Sequence, residues 1–365
     1  MMHFKIFDHF DDDLRKSLNQ IKDDSFFNVF QLTEWIDTVI NNSNDYNKIK
    51  IIFVFDGDNL ILVAPLCIKN IYGCRELSWI SSEILDYNNP IISKYFDFRN
   101  VDFKRLWKKI IKDLSGKCDL IFFNKIPAFI DSAANPLVDS KYKFYQKSYQ
   151  LDLNKLDYDS FYNSKNNNKS KQTDRRKEKK LNHKNDLIFS YININPSNFQ
   201  LVEDLIFEKM SFYQKKKEKT FNYQSIINKY KKLICFKSNN YKFNLSILKK
   251  NQTKISSILG VIFNDVYYYL IPLTHHSEYK KFSPGRFHIV NLIKWTMNNN
   301  IKFIDFTAGD ESYKSNWSNT NFKMFYYLKL NSIRGLIRFI FLNLYFRLRN
   351  IYLLKKFCYF IKYEI

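Results

Sequence analysis

The sequence predicts an α/β fold of mixed sheets (α+β), arranged as two tandem domains followed by a basic amphipathic tail helix. Three observations carry this. The chain has 365 residues, enough for two ordinary domains. Strand-like and helix-like periodicities alternate along it. A hairpin pattern at 50–66 recurs at 242–263, at a comparable place in each half. The expected divisions are 1–160 for an N-terminal domain, 161–185 for a basic connector, 186–331 for a C-terminal catalytic domain and 332–365 for the tail helix.

Taken in order, Gln31–Asn41 reads as a helix and Lys50–Asp56 as a strand. Gly57-Asp58 supplies the turn into a second strand, Leu60–Leu66. A helix at about Asp102–Leu114 precedes strands at Cys118–Phe123 and Tyr142–Leu153. In the second half, helical patterns cover Ser197–Lys217 and Tyr223–Phe236. Strands follow at Lys242–Leu248, Lys254–Phe263 and Val266–Leu273. Ser283 then reads as a helix cap, with Pro284 at the first helical position. Ile289, Leu292, Ile293 and Met297 fall on one face of the helix that follows. Ile301–Phe306 reads as a buried strand, and Phe322–Leu330 as another. A strand, a turn with free N–H groups at a helix start, a helix and a second strand together make an anion cradle.

Composition narrows the class. The formal net charge is +22, which favours polyanionic partners, although an Ile-, Asn- and Lys-rich coding bias yields much the same excess. Residues 165–184 hold nine Lys or Arg against Asp174 and Glu178. Two readings stand for this run: a charged connector helix with a solvated face, or a phosphate-tracking arm. Five scattered cysteines without Cys-x-x-Cys indicate neither a disulfide framework nor a zinc site, and fit a reducing cytoplasm. The start is acidic and lacks the apolar core of a signal peptide. In 333–361, Arg334, Arg338, Arg349 and Lys356 fall on one helical stripe of an apolar segment. This suits peripheral contact with the inner face of a membrane, or a helix packed on the protein with its arginines outward. His275 and His276 read as a loop pair, one of which could act as a base, rather than as a metal site, since adjacent strand residues face opposite ways and no metal is expected.

At this point the chain resembles a known family. Ser283-Pro284-Gly285, Asp305-Phe306, Gly309-Asp310-Glu311, Tyr313-Lys314 and Trp317 are similar to the GNAT-type BioF2-like, or cellulose-biosynthesis, acetyltransferases of bacteria. These are relatives of the Fem peptidoglycan aminoacyltransferases. Gln31, Trp35 and Ala64-Pro65-Leu66 resemble the same family's first half. The resemblance implies two tandem GNAT-like acyltransferase domains, with acyl-CoA (acetyl-CoA) as co-substrate and an amino sugar or cell-envelope or polysaccharide precursor as acceptor. The acceptor, a small molecule or a lipid-linked one, attacks the thioester directly.

Carried over residue by residue, the strand ending at Leu273 would pair with the pantetheine arm, its pairing stopping at Pro272. Ser283, Gly285 and Arg286 would wrap the pyrophosphate, and Lys281 would meet the ribose phosphate. A single glycine stands where two are usual in the family's loop. Tyr313 is the candidate general acid for the leaving thiolate, or else a packed aromatic. Asp305 and Glu311 are candidate bases, with Asp305 equally suited to capping the turn at Thr307–Gly309. Lys314, Trp317 and Gln31 are candidates for the acceptor site, core packing being the other reading for Trp317. No Ser-His-Asp or Cys-His set is evident. A Fem-like aminoacyl-tRNA donor is the alternative enzyme reading, and a non-catalytic module binding anionic polymer or membrane is the third.

Overall fold

The computed structural model describes residues 1–21, 24–41, 48–183, 186–215, 223–236, 238–275 and 278–349. His276, Lys356 and the tail beyond 349 lie outside the described residues. The chain divides into two compact units. One comprises Met1–Gln146, Tyr213–Lys229 and Phe322–Ile365; the other comprises Lys147–Phe212 and Tyr230–Asn321.

The first unit opens with β1 (Met2–Phe7), α1 (Asp12–Ile21), β2 (Ser25–Phe26) and α2 (Thr33–Asn41). Then come β3 (Lys48–Asp56), β4 (Asn59–Ile71), β5 (Cys74–Trp79), β6 (Ile91–Ser93) and α3 (Val101–Ser115). β7 (Leu120–Pro127), β8 (Phe129–Ile130) and β9 (Ala133–Ala134) follow. β10 (Lys143–Asp152) carries the chain into the second unit. There lie α4 (Tyr158–Lys165), α5 (Asn168–Leu181), β11 (Leu187–Asn193), α6 (Gln200–Lys215) and α7 (Tyr223–Cys235), the last shared across the division. β12 (Lys242–Lys250), β13 (Thr253–Phe263), β14 (Val266–Thr274), α8 (Pro284–Asn298), β15 (Phe303–Ala308) and α9 (Ser312–Asn316) complete it. β16 (Thr320–Leu330) and α10 (Leu336–Leu348) return the chain to the first unit.

Both units use the same strand order. In the first, β1, β3, β4 and β5 form an antiparallel meander, β7 lies parallel to β5, and β16 lies antiparallel to β7. In the second, β11 to β14 form the meander, β15 lies parallel to β14, and β10 lies antiparallel to β15. The repeated hairpins, β3–β4 and β12–β13, therefore hold equivalent places. Each parallel pair is joined by a crossover containing a helix, α3 or α8, as parallel strands require.

Periodicity explains the cores. α8 buries Phe287, His288, Ile289, Leu292, Ile293 and Thr296, the spacing of one helical face. It meets Tyr267, Ile304, Phe306 and Trp317. In the first unit, Phe103, Ile110 and Leu114 of α3 pack on β4, β5 and β7 around Trp79 and Phe123, whose rings lie 5.7 Å apart. Each such side chain contributes roughly 1.5–3 kcal/mol on full burial. With only seven glycines, the chain turns its β13–β14 hairpin on Asn264 and Asp265, at φ 47° and 60°.

Two expectations change here. Residues 168–181 of the basic run form α5, which belongs to the second unit and seats Leu181 among Leu248, Ile255 and Phe287. Within α10, Arg338 points inward, its Nε 3.2 Å from Glu76 Oε2, and Arg349 lies over the Tyr145 ring at 4.8 Å. Neither joins an outward basic stripe. Glu76 is 3% exposed, and its burial pushes its carboxyl pKa up, so an inward arginine offsets a charge that would otherwise be unpaired. The exposed face of α10 carries Ile337, Ile340, Leu344 and Arg347, with the exposed Ile333 and Arg334 just before it.

Candidate active site

The second unit's parallel pair comes apart. β14 and β15 are in register only at Val266/Phe303, Tyr267/Ile304 and Tyr268/Asp305, although both strands continue. β14 stays paired with β13 as far as Thr274, through a bulge between Leu259 and Gly260 that bends it away. Sheet pairing thus runs past Pro272, which the sequence reading had taken as its end. The Pro272 carbonyl accepts from Lys209 Nζ at 2.9 Å rather than from β13. A strand residue's N and C=O face the same edge in an antiparallel pair, so the missing N–H of Pro272 lies on the open edge and costs the ladder nothing. From Tyr269 to Leu273 that edge has no strand partner.

Across the gap, β15 is kinked. Thr307 has φ 58°, a left-handed conformation that is unfavourable for a β-branched residue. It is held by Asp305 Oδ1, which accepts from its N–H at 2.7 Å, and by its own Oγ1, which donates to the Tyr269 carbonyl at 3.4 Å. A side-chain bridge here replaces the ladder bonds. Asp305 therefore caps the turn, the second of its two expected roles, and is 4% exposed.

At the carboxyl end of β14, α8 begins. Ser283 takes the N-cap position, but with φ 58° and ψ 56° its side chain makes no capping bond, so the cap expected from the sequence is not formed. Its hydroxyl accepts from Lys177 Nζ at 2.8 Å. Gly285 lies close to β14: a Cβ there would be 3.0 Å from Thr274 Oγ1, so that side chain would have to shift slightly. The start of α8 thus lacks both a side-chain cap and an acid in its first turn, which leaves its positive dipole end without a side-chain partner; Pro284 has no N–H, and the Arg286 N–H is bonded to the Ser283 carbonyl at 3.0 Å. Lys281 is exposed, its ammonium 5.3 Å from the Phe282 ring. Leu273 lies at the near end of the open edge and is 8% exposed.

Arg286 is placed otherwise than expected. Its Nε donates to Asp174 Oδ2 at 2.8 Å and an Nη to Asn166 Oδ1 at 2.5 Å, and the guanidinium sits 4.9 Å from the Trp317 ring. Tyr162 donates to the same Asp174 oxygen at 2.6 Å. Arg286 thus fastens α5 to the start of α8, which is how Lys177 comes to reach the cradle. Lys177 was not singled out by sequence. The only signal was its place in the basic run, because its partner lies 106 residues away.

The second cluster surrounds α9. Gly309 has φ 141°, and a Cβ there would lie 2.2 Å from Glu311 Oε2. Lys314 is 4% exposed and donates to the Ala308 carbonyl at 2.9 Å, with Glu311 Oε2 3.1 Å away. Its charge is used to close this loop rather than offered to an acceptor. Glu311 keeps 58% of its side chain exposed. Tyr313 is half-buried, its ring 6.3 Å from that of Tyr269 at the parting of the strands. Trp317 is a core residue, 2% exposed.

Gln31 lies in the first unit and is 3% exposed. Its amide donates to the Tyr87 carbonyl at 3.1 Å and accepts from Asn28 N–H, closing a capping box. It is structural. His288 is fully buried, donates to or accepts from Ser246 Oγ at 2.9 Å, and has its pKa lowered to about 3 by burial. Among the described residues, no group of three or more His, Cys, Asp or Glu is poised for a metal ion, and no helix is long and apolar enough to cross a membrane.

Residues 168–315 match the family model described as Acetyltransferase (GNAT) domain. No protein of curated function matches the sequence. Among solved structures, FemX is similar at 14% identity, covering 93% of this chain and 99% of its own, with a TM-score of 0.54. L-PGS from Bacillus licheniformis is similar at 11% identity, covering 94% and 98%, with a TM-score of 0.52. The C-terminal domain of a putative lysylphosphatidylglycerol synthetase from Agrobacterium fabrum gives 9%, 88% and 95%, at 0.50. At these identities the likeness shows the fold: mixed α/β units of the GNAT type.

Proposed function

We propose that the protein is an acyl-CoA-dependent N- or O-acyltransferase whose reaction takes place in the second unit. The observation that carries this is the parting of β14 and β15 beside an uncapped helix start. A thioester donor suits that geometry. Its diphosphate meets the N–H groups of α8 at Gly285, with Ser283, Lys177 and Lys281 around it, and its amide-bearing arm pairs with the open edge between Tyr269 and Leu273. The acceptor amine or hydroxyl attacks the thioester carbonyl, the C–S bond breaks, and Tyr313 gives a proton to the departing thiolate. Glu311, exposed on the same loop, is the group we assign to take the acceptor's proton. A cell-envelope or polysaccharide precursor, small or lipid-linked, is the acceptor class we favour. The exposed Ile333, Ile337, Ile340 and Leu344 with Arg334 and Arg347 would suit peripheral contact with an anionic lipid surface.

A second donor is supported by one observation. Arg175, Arg176, Lys179 and Lys180 are exposed on α5 next to the cradle, as an arm following an aminoacyl-tRNA backbone would need. The relatives of similar fold include FemX. Thermal-shift titration separates the two donors. Stabilisation by micromolar coenzyme A and not by tRNA supports acyl-CoA. Stabilisation by tRNA alone, falling steeply with salt, overturns it in favour of the second donor. Stabilisation by neither overturns both.

A further inference from the structure

The fold assembles a hydroxyl–imidazole–carboxylate series that no sequence motif announces. Ser257 lies on β13, His275 just beyond β14, and Glu208 on α6. Ser257 Oγ is 2.8 Å from His275 Nε2, and His275 Nδ1 is 2.6 Å from Glu208 Oε2. Opposite an accepting carboxylate, the neutral imidazole would carry its proton on Nδ1 and leave Nε2 to accept from the serine. This is the tautomer a general base requires, held by the residue behind it. Register explains the meeting. Ser257 pairs with Leu273, and His275 follows two residues later on the same face, with its own N–H bonded to the Ile255 carbonyl at 3.2 Å. Lys209, next to Glu208 on α6, brings a cation to the adjoining Pro272 carbonyl. Ser257 is 3% exposed, whereas Glu208 keeps 46% of its side chain in water, so the series runs from a sheltered hydroxyl to solvent.

We infer that Ser257, His275 and Glu208 form a second catalytic centre that hydrolyses activated acyl esters or thioesters through an acyl-serine intermediate. The centre adds to the proposed transfer site: Leu273, opposite Ser257, ends the open edge assigned to the donor arm, so this centre borders that edge, with a nucleophile and base that the transfer step does not use. In the first step Ser257 Oγ bonds to the acyl carbon while His275 Nε2 takes its proton. The bond to the alcohol or thiol then breaks, and the leaving group takes that proton from the imidazolium. Water next attacks the acyl-serine, His275 accepts its proton and returns it to Oγ, and a carboxylic acid leaves. Glu208 orients the imidazole and balances its charge. It is a positioning residue.

The test treats the full chain with a biotinylated fluorophosphonate and, separately, with p-nitrophenyl acetate. The expected result is a phosphonyl adduct on the Ser257 peptide, absent in Ser257→Ala, with ester hydrolysis about 100-fold slower or more in His275→Asn and an intermediate loss in Glu208→Gln. Coenzyme A-dependent stabilisation and transfer remain at the parent level in Ser257→Ala, so this centre and the transfer site fail independently. No adduct at Ser257 in the folded parent overturns the inference, whatever the variants do. So does parent-level ester hydrolysis by a folded Ser257→Ala.

Discussion

The two units share a strand order and a crossover helix, yet the two crossover helices start differently. In the first unit, α3 is capped by Asn100, whose side chain accepts from Asp102 N–H at 2.8 Å, and Asp102 places a carboxylate in the first turn. The adjoining Arg99 is neutralised by Asp97 at 2.9 Å. In the second unit, α8 has no side-chain cap and no first-turn acid, and Lys177 stands at its N-cap serine. The same backbone dipole is thus met by a side-chain cap in α3 and by none in α8. Topology is common property, and the donor site we propose rests on this difference of a few residues at the helix start.

The comparison can be broken most strongly by making α8 resemble α3. Gly285→Asp puts a carboxylate where the diphosphate is assigned and crowds Thr274. Coenzyme A stabilisation should disappear, and transfer should fall by two orders of magnitude or more. Fold stability should stay within about 1 kcal/mol of the parent, because an acid at a helix start is itself favourable. Retained coenzyme A binding in a thermal-shift assay would move the donor elsewhere. Tyr313→Phe separates chemistry from the cradle. Turnover should drop about 100-fold while donor affinity is unchanged, as measured by steady-state rates alongside titration. A variant with parent turnover would remove the tyrosine from the reaction.

Lys177→Met probes the lysine contributed by α5. Donor affinity should weaken by about tenfold, equivalent to about 1.4 kcal/mol, with a shallower salt dependence. An unchanged affinity would mean that the lysine serves only the α5–α8 junction. The smallest effect belongs to the other unit. Asn100→Ala should cost about 1 kcal/mol in denaturant unfolding and leave coenzyme A binding untouched. Any loss of binding there would show that the two helix starts are not independent.

Much of the fold was legible locally. The apolar spacing of Phe103, Ile110 and Leu114, or of Ile289, Leu292 and Ile293, is a property of adjacent turns, and the strand ends expected from it lie within a few residues of those observed. The candidate site was legible in part. Ser283 and Gly285 stand at the helix start the sequence predicts and Tyr313 beside the parting strands, because a serine-proline-glycine helix start is a local feature. Arg286, Lys314 and Gln31 are each held by a protein partner that sequence spacing does not identify or does not rank. Asp174 lies 112 residues from Arg286, and Tyr87 lies 56 residues from Gln31.

The residues alone therefore determined many of the elements, the two-part grammar and the helix start at Pro284, all of which depend on contacts within a few positions. Only the tertiary structure decided that β16 pairs with β7 and β10 with β15, that Ser283 leaves its helix start uncapped, that β14 and β15 part after Tyr268, and that Ser257, His275 and Glu208 meet. The physical reason is the range of the forces. Backbone conformation and helix capping are settled by neighbours along the chain, whereas strand exchange, burial and charge pairing are settled by whichever surfaces the folded core brings within a few ångströms.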